Sequence, residues 1–498
     1  MPTNCVLSAK IKDFREERNT IQEKTSNSAK PLLGVVIFYL TSYVQNIILY
    51  LNIKMASNLR VRTEKFRAVN NADIIIDGIT LVAGENGCGK STISKLLYFL
   101  FKTISNYDVL VKQNLNSSLR DVLRFLEIFQ QEVVYSHNDR KIRDDYRKEI
   151  DDLRRSLFYS DFLNEEADKW ISLIDKVEYL YANYSKIDDE RLFRNENSVN
   201  SRMHRLNRII KEILKEDYQG EDYREAFNNV KRLVRDKFKA AKGKIDSRPT
   251  SMFVEELQKI FSDSKLPKKF EVYEFEDIIV SLEKSNLSIP FSIDKAIYID
   301  TPMMLSIEDS HNEYWDDLND LLLHDNGISD NGIADIISKQ IIKGEVEYDE
   351  GIFMADEFKF KRVDGAIFNL LDVATGIKAF SILQLLLKNG HLNEKTLLII
   401  DEPESNLHPQ WIIEYARIIV LLNKRLGVKF FIASHNPDMV SAIRYISEKE
   451  AVLNNVNFYL ANREENTFVY NYQYLDKNID PIFESFNIAI NRINQYGV

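Results

Sequence analysis

Eight residues constrain this chain more than any other stretch: Gly84-Glu85-Asn86-Gly87-Cys88-Gly89-Lys90-Ser91. They match the pattern G-x-x-x-x-G-K-[ST] in full, and that pattern carries a mechanism. Glycines let successive backbone N–H groups turn inward around phosphates at a helix N-terminus. The lysine adds a point charge at the β- and γ-phosphates, and the serine offers a hydroxyl to a divalent cation. The flanks agree. Ile79-Thr80-Leu81-Val82-Ala83 reads as a buried strand, and Ser91 to Leu100 reads as a helix with an apolar face at Ile93, Leu96, Leu97 and Leu100. A chance glycine-rich turn does not come with that strand and helix. Cys88 is expected to be a small loop residue rather than a redox sensor.

Nucleotide hydrolysis also needs a carboxylate for the metal and a group that prepares water. Thr396-Leu397-Leu398-Ile399-Ile400-Asp401-Glu402 supplies both at the end of an apolar strand. Asp401 would bind Mg²⁺, directly or through water, and Glu402 would polarise the attacking water. Pro403-Glu404-Ser405-Asn406-Leu407-His408-Pro409 follows, and Lys429-Phe430-Phe431-Ile432-Ala433-Ser434 reads as another buried strand that ends in His435. These runs resemble the heads of ATP-binding-cassette ATPases, with their D-loop and switch histidine. The resemblance implies that His435 senses the γ-phosphate and that Ser405-Asn406-Leu407 communicates across a head dimer. Read alone, His435 could be a satisfied loop histidine, but its place directly after a buried strand favours the switch role. His408 is expected to be structural.

Cassette ATPases also carry a signature loop that completes a neighbouring subunit's site. Ala374-Thr375-Gly376-Ile377-Lys378, followed by the helix Ala379 to Leu387, fits that place. It departs from the transporter signature, which has two glycines and a glutamine. A helix start with Thr375 as N-cap explains the same residues and is compatible with the functional role. No loop glutamine for the metal stands out, and Gln130 or Gln131 is a guess. The nucleotide-binding set is therefore Gly84, Asn86, Gly87, Gly89, Lys90, Ser91 and Thr92, with Thr375 and Gly376 from the signature loop. Ser91 and Asp401 are the metal-binding pair, and Glu402 and His435 the catalytic one. No base-specifying motif separates ATP from GTP.

Lys90 and Asp401 lie 311 residues apart (401 − 90). Transporter cassettes bridge that distance with a far shorter helical subdomain, so a transport ATPase is disfavoured. The segment between is charged and helical. Ile142, Tyr146, Ile150, Leu153 and Leu157 form one apolar stripe, and Leu206, Ile209, Ile210, Ile213 and Leu214 a second. Neither continues as heptads, which speaks against a long coiled coil, and no cysteine is present to build the hook of break-repair ATPases. A compact insert is expected. It holds one basic run, Lys231, Arg232, Arg235, Lys237, Lys239, Lys242 and Lys244, broken by Asp236 and followed by Lys265, Lys268 and Lys269. In a chain of net charge −10 this is the candidate nucleic-acid patch, through Lys231, Arg232, Arg235 and Lys237. A solvated helix face is the plainer reading. Two cysteines, Cys5 and Cys88, cannot build a disulfide framework, which points to a reducing cytoplasm.

Leu32 through Leu51 is an uncharged, largely apolar run of about the roughly 20 residues a bilayer core needs. It admits three readings: surplus upstream sequence, with Met55 as initiator; a membrane anchor; or a buried helix interrupted by Thr41, Ser42, Gln45 and Asn46. The expected organisation is an extension at 1–54, the first part of an ATPase head at 55–100, a helical insert at 101–290 and the rest of the head at 291–498. After His435 there is no Asp-x-Asp cluster and no further histidine. A nuclease of the OLD or HNH type is thus not expected in the tail.

Gly84–Lys95, Leu371 through Lys378 to Leu387, Leu397–Trp411 and Phe430–Pro437 together resemble the ATPase subunit of Septu-type anti-phage systems, which also occurs beside retrons. The resemblance covers the head and matches the insert only in size and helical character. It implies an ABC-type, SMC-like α/β P-loop ATPase head with a large helical insert between the phosphate loop and the signature loop. It further implies ATP and Mg²⁺ at the site, oligomerisation through heads and a small HNH-type nuclease as partner. A DNA-maintenance ATPase that works without a nuclease is the competing expectation.

Overall fold

The computed structural model describes residues 59–130, 140–159, 167–180, 208–213, 223–261, 265–300, 313–324, 327, 332–349, 357–485 and 495. The 1–54 extension, its apolar run at 32–51 and Gln131 lie outside them. So do Leu206, Leu214 and the side chains of Leu153 and Leu157. No helix among the described residues is long and apolar enough to cross a membrane.

Strands β1 (Arg60–Phe66), β2 (Val69–Ile75) and β3 (Ile79–Ala83) lead into helix α1 (Lys90–Ser105). The insert follows, with α2 (Tyr107–Phe129), α3 (Arg140–Tyr159), α4 (Tyr223–Ser247) and α5 (Thr250–Phe261). Strands β4 (Lys269–Glu274), β5 (Asp277–Ser281) and β6 (Lys295–Ile299) precede α6 (Glu313–Leu323). A small antiparallel sheet, β7 (Gly344–Asp349), β8 (Glu357–Arg362) and β9 (Ile367–Asn369), runs into α7 (Thr375–Lys388). The chain closes with β10 (Thr396–Asp401), α8 (Pro409–Leu426), β11 (Lys429–Ser434), α9 (Pro437–Lys449), β12 (Val456–Arg463) and β13 (Tyr470–Asp476).

Ten strands form one mixed sheet in the order β5-β4-β1-β2-β13-β12-β3-β11-β10-β6. From β12 to β6 the pairings are all parallel, whereas β1 pairs antiparallel with both β2 and β4. The apolar runs of β3 and β10 follow from this, because parallel strands covered on both faces have no solvent side. Side chains still alternate between two cores. Leu397, Ile399 and Phe431 join the core that holds α1 and the insert, while Leu398, Ile400 and Phe430 join the core that holds α7, α8 and α9. The phosphate-loop helix and the helix after the signature loop therefore pack on opposite faces of the sheet.

The insert is helical, as its two stripes require. Tyr146 and Ile150 are buried on α3, as are Ile209, Ile210 and Ile213 in the second stripe. On α4 the buried residues Phe227, Val230, Val234, Phe238 and Ala241 recur at helical spacing, and Phe227 meets Phe125 of α2 with ring centroids 6.1 Å apart. The sheet reclaims the chain at Lys269, well before residue 290. Phe270 and Val272 are buried there and alternate with Lys269 and Glu271, which form an ion pair at 3.0 Å. This strand is paired on both sides, by β1 and β5, and its charged residues, with Glu271 and Glu274 buried among them, hid it in the sequence. The basic run needs one correction. Lys231 is buried, and its ammonium donates to Asp175 at 2.7 Å and Glu178 at 2.8 Å, so it belongs to the insert's own packing and not to a nucleic-acid surface. Arg232, Arg235, Lys237, Lys239, Lys242 and Lys244 are exposed.

Candidate active site

Parallel register gathers the functional loops at one end of the sheet. Ala83 pairs with Ser434, Ala433 with Asp401, and Ile400 with Ile299. The residues that follow these strand ends, from Gly84, Glu402, His435 and Asp300, therefore emerge side by side at the carboxyl edge, where open α/β sheets bind ligands.

The phosphate loop is shaped by what its glycines avoid. Gly89 caps α1 in the left-handed region, at φ +94°, and an added Cβ would stand 2.8 Å from Val69 Cγ2. Lys90 begins the helix, is only 5% exposed, and curls back so that Nζ donates to the carbonyls of Gly84 (2.8 Å) and Glu85 (3.0 Å). Asn86, Gly87 and Ser91 are exposed at the loop mouth, with Thr92 and Gly89 half-buried. Cys88 is buried, its carbonyl accepts from Tyr472 Oη at 3.1 Å, and burial pushes its thiol pKa up against the pull of Lys90. A thiol so placed is a packing group.

Asp401 ends β10 with 3% exposure. Tyr298 Oη donates to its Oδ2 at 3.1 Å, while its Oδ1 is buried without a hydrogen-bond partner. Burial lifts the Asp401 pKa to about 6. The Ser91 and Tyr298 hydroxyls offset part of that rise, and Asp300 and Glu402 add to it. A buried carboxylate oxygen lacking a partner beside a serine hydroxyl suits a hard cation that keeps water and phosphate oxygens as its other ligands. The donor set thus fits Mg²⁺. Among the described residues there is no cluster of three His, Cys, Asp or Glu that could hold a metal unaided.

Glu402 sits at φ +50°, a left-handed conformation rare for a residue with a side chain. Its N–H donates to Ala433 O (2.8 Å) and its carbonyl accepts from Ser405 N (2.9 Å), which holds the turn. Ser405 Oγ donates to Glu402 Oε2 at 3.3 Å. His435 lies opposite, with Nδ1 3.4 Å from Glu402 Oε1 and 3.3 Å from Glu404 Oε1. His408 serves as N-cap of α8, its Nδ1 accepting from Gln410 N at 3.4 Å.

The signature loop stands apart from this group. Ala374, not Thr375, is the N-cap of α7, and Thr375 Oγ1 donates to the carbonyl of Asn406 at 3.3 Å. Gly376 is buried against Trp411 and Leu407: a Cβ there would come within 2.5 Å of Trp411 Cε3. Lys378 is also buried, with Nζ donating to Leu371 O at 2.6 Å. Within one chain this loop touches the D-loop rather than the phosphate loop. Gln130 is ruled out as a metal-loop residue, because it caps the far end of α2, where neighbouring Phe129 meets Tyr146 of the insert. Sequence reasoning missed Tyr298, Asp300 and Glu404. The polar Tyr298 and Asp300 at the end of an apolar strand were the available signal for two of them.

Fold and site together define a P-loop ATPase. The chain belongs to the family described as "AAA domain, putative AbiEii toxin, Type IV TA system", whose model matches residues 79–441. It is thus an ATP-hydrolysing enzyme of the AAA class. No curated protein matches it. Among solved structures, the SMC head domain from Thermotoga maritima matches at 11% identity, covering 41% of this chain and 64% of that one, with a TM-score of 0.26. The Smc head domain with an extended coiled coil, bound to the C-terminal domain of ScpA and derived from Pyrococcus furiosus, matches at 12% identity over 87% of this chain and 98% of that one (TM-score 0.29). CbiO1 from Clostridium perfringens, part of the ABC transporter complex cbiONQ, matches at 14% identity over 49% and 81% (TM-score 0.24).

Proposed function

We propose that this ATPase is the regulatory subunit of a bacterial anti-phage defence complex and that it controls a separately encoded HNH-type nuclease. One observation carries the catalytic half: Ser91, Asp401, Glu402 and His435 meet at a single sheet end. The regulatory half is supported by the likeness of the motif runs to Septu-type subunits, and by a family description that names a toxin of a toxin–antitoxin system.

In this reading Lys90 exchanges the loop carbonyls for β- and γ-phosphate oxygens, and backbone N–H groups of the loop between Asn86 and Thr92 surround the phosphates. Ser91 and Asp401 hold Mg²⁺, which when bound neutralises phosphate charge. Glu402 orients the attacking water and accepts its proton, with His435 beside the γ-phosphate. The heads pair, and Thr375 and Gly376 of one subunit face the nucleotide of another. The Thr375–Asn406 bond supports this, since it joins the signature loop to the D-loop.

A second reading, an SMC-like ATPase that acts on DNA without a nuclease, is favoured by the exposed cations of α4. Arg232, Arg235, Lys239 and Lys242 recur at three- and four-residue steps and so share one helix face. Reversing the charge of Arg232 and Arg235 should weaken duplex binding and flatten its salt dependence. Unchanged DNA affinity would remove nucleic acid from both readings. The two readings part on co-expression with the adjacent open reading frame. Co-purification of a His-Asn-His protein whose DNA cleavage changes with ATP supports the defence reading, and a head that acts alone on DNA supports the other.

A further inference from the structure

Behind the expected catalytic pair lies a third acid that neither motif reading assigns. Glu404 is buried, and its Oε1 is claimed by β11. It accepts from Ser434 Oγ at 2.9 Å and from the backbone N–H of His435 at 2.9 Å, and it stands 3.3 Å from His435 Nδ1. Ser434 Oγ in turn accepts from Asn436 N at 3.1 Å, and the Asn436 side chain caps α9 by accepting from Asp438 N and Met439 N. One carboxylate thus ties the loop after β10 to the whole turn that carries the histidine. Two atoms of this cluster are incomplete. Glu404 Oε2 is buried with no partner, and His435 Nδ1 is buried without an aligned hydrogen bond although two carboxylates stand within 3.4 Å.

We propose that Glu404 is the positioning residue for His435. A carboxylate opposite Nδ1 requires a proton on that nitrogen, which fixes the tautomer and leaves Nε2 for the nucleotide. Catalytic hydrogen bonds are commonly long in a nucleotide-free protein and tighten in the complex. A small rotation of the ring completes Nδ1–H···Oε1 of Glu404, and it withdraws the ring from Glu402, whose carboxylate is then free to face water. The backbone bond from His435 N and the hydroxyl bond from Ser434 hold Glu404 while this happens, so the ring turns against a fixed acceptor. Glu402 and Glu404 therefore do different work: one faces the reacting water, and the other steers the histidine.

The inference rests on the reading of His435 as the γ-phosphate residue, so the test separates the two. Purified protein is assayed for ATPase rate and for affinity of a fluorescent ATP analogue in four forms: wild type, Glu404→Gln, His435→Ala and the double variant. Glutamine keeps Oε1 as an acceptor for Ser434 and His435 N–H, so the fold should hold, which the melting temperature reports. It removes the carboxylate charge that holds the proton on Nδ1, so the hold on the ring weakens. The expected result is a loss of about tenfold or more in kcat for Glu404→Gln, with analogue affinity and KM within about twofold. In the His435→Ala background the same substitution should cause no further loss, because a residue that acts through another is silent once that other is gone. Glu404→Asp should recover part of the rate. Wild-type kcat in Glu404→Gln, or a full additional loss in the double variant, overturns the assignment of Glu404 alone. Wild-type kcat in His435→Ala overturns the histidine reading and this inference with it.

Discussion

Two helices of the head begin on loops that contain glycine, and the two glycines answer to different constraints. Gly89 at the start of α1 adopts φ +94°, which leaves the loop open for inward-facing N–H groups and sets Lys90 at the first helical position. Gly376 near the start of α7 has no such dihedral; it is small because Trp411 and Leu407 lie over it. One glycine makes room for a ligand and the other for a side chain of the same chain. A Thr-Gly pair at a helix start is therefore weaker evidence of phosphate binding than a matched phosphate loop.

Substitutions at the two loops should separate accordingly. Lys90→Ala removes the charge meant for the β- and γ-phosphates and should lower nucleotide affinity by at least about a hundredfold, the equivalent of roughly 2.7 kcal/mol. Equilibrium binding of a fluorescent analogue reads this directly, and retained tight binding breaks the comparison at its stronger end.

Acid should weaken the site next. Asp401 titrates near pH 6 instead of in the usual carboxylate range. Protons therefore compete with Mg²⁺ below that pH, and the half-saturating Mg²⁺ concentration should rise about tenfold per unit of further acidification. The stability of the metal-free protein moves the other way. A carboxyl whose folded pKa is raised contributes stability that is fully present below its unfolded value, near 4, and is lost as pH rises through 6. Melting temperatures of wild type relative to Asp401→Asn, taken without metal from pH 4 to 7, should fall as pH rises. A flat difference would contradict the burial of a charged Asp401.

Gly376→Ala should cost about 1–3 kcal/mol of stability through the clash with Trp411, yet leave nucleotide affinity of the isolated chain within twofold. Loss of affinity without loss of melting temperature would move Gly376 to its own subunit's phosphates. Thr375→Val is the smallest expected change, about 0.5–1.5 kcal/mol for the bond to Asn406, read by thermal melting.

How much of this could be read in advance varied with the kind of signal. The places of the phosphate loop, Asp401, Glu402 and His435 were legible because each sits at a fixed offset from an apolar strand, and strands covered on both faces announce themselves as continuous apolar runs. Strand β4, paired on both sides between β5 and β1, did not. Lys269–Glu274 mixes Phe270 and Val272 with charged residues that pair across it, so it reads as insert. Lys231 looked like part of a basic surface because linear spacing cannot show that Asp175 and Glu178, far away in sequence, meet it in partly buried ion pairs. Tyr298 and Glu404 escaped notice for a related reason. Their importance lies in what parallel register places beside them, at Asp401 and His435.

In the proposed mechanism Glu402 activates water while Lys90, Ser91 and Asp401 hold the nucleotide. A single preparation of Glu402→Gln, measured for analogue affinity and for phosphate release at saturating ATP and Mg²⁺, tests it most directly. The expected result is nucleotide affinity within about twofold of wild type and a turnover lowered by about a hundredfold or more. Wild-type phosphate release from that variant would contradict it.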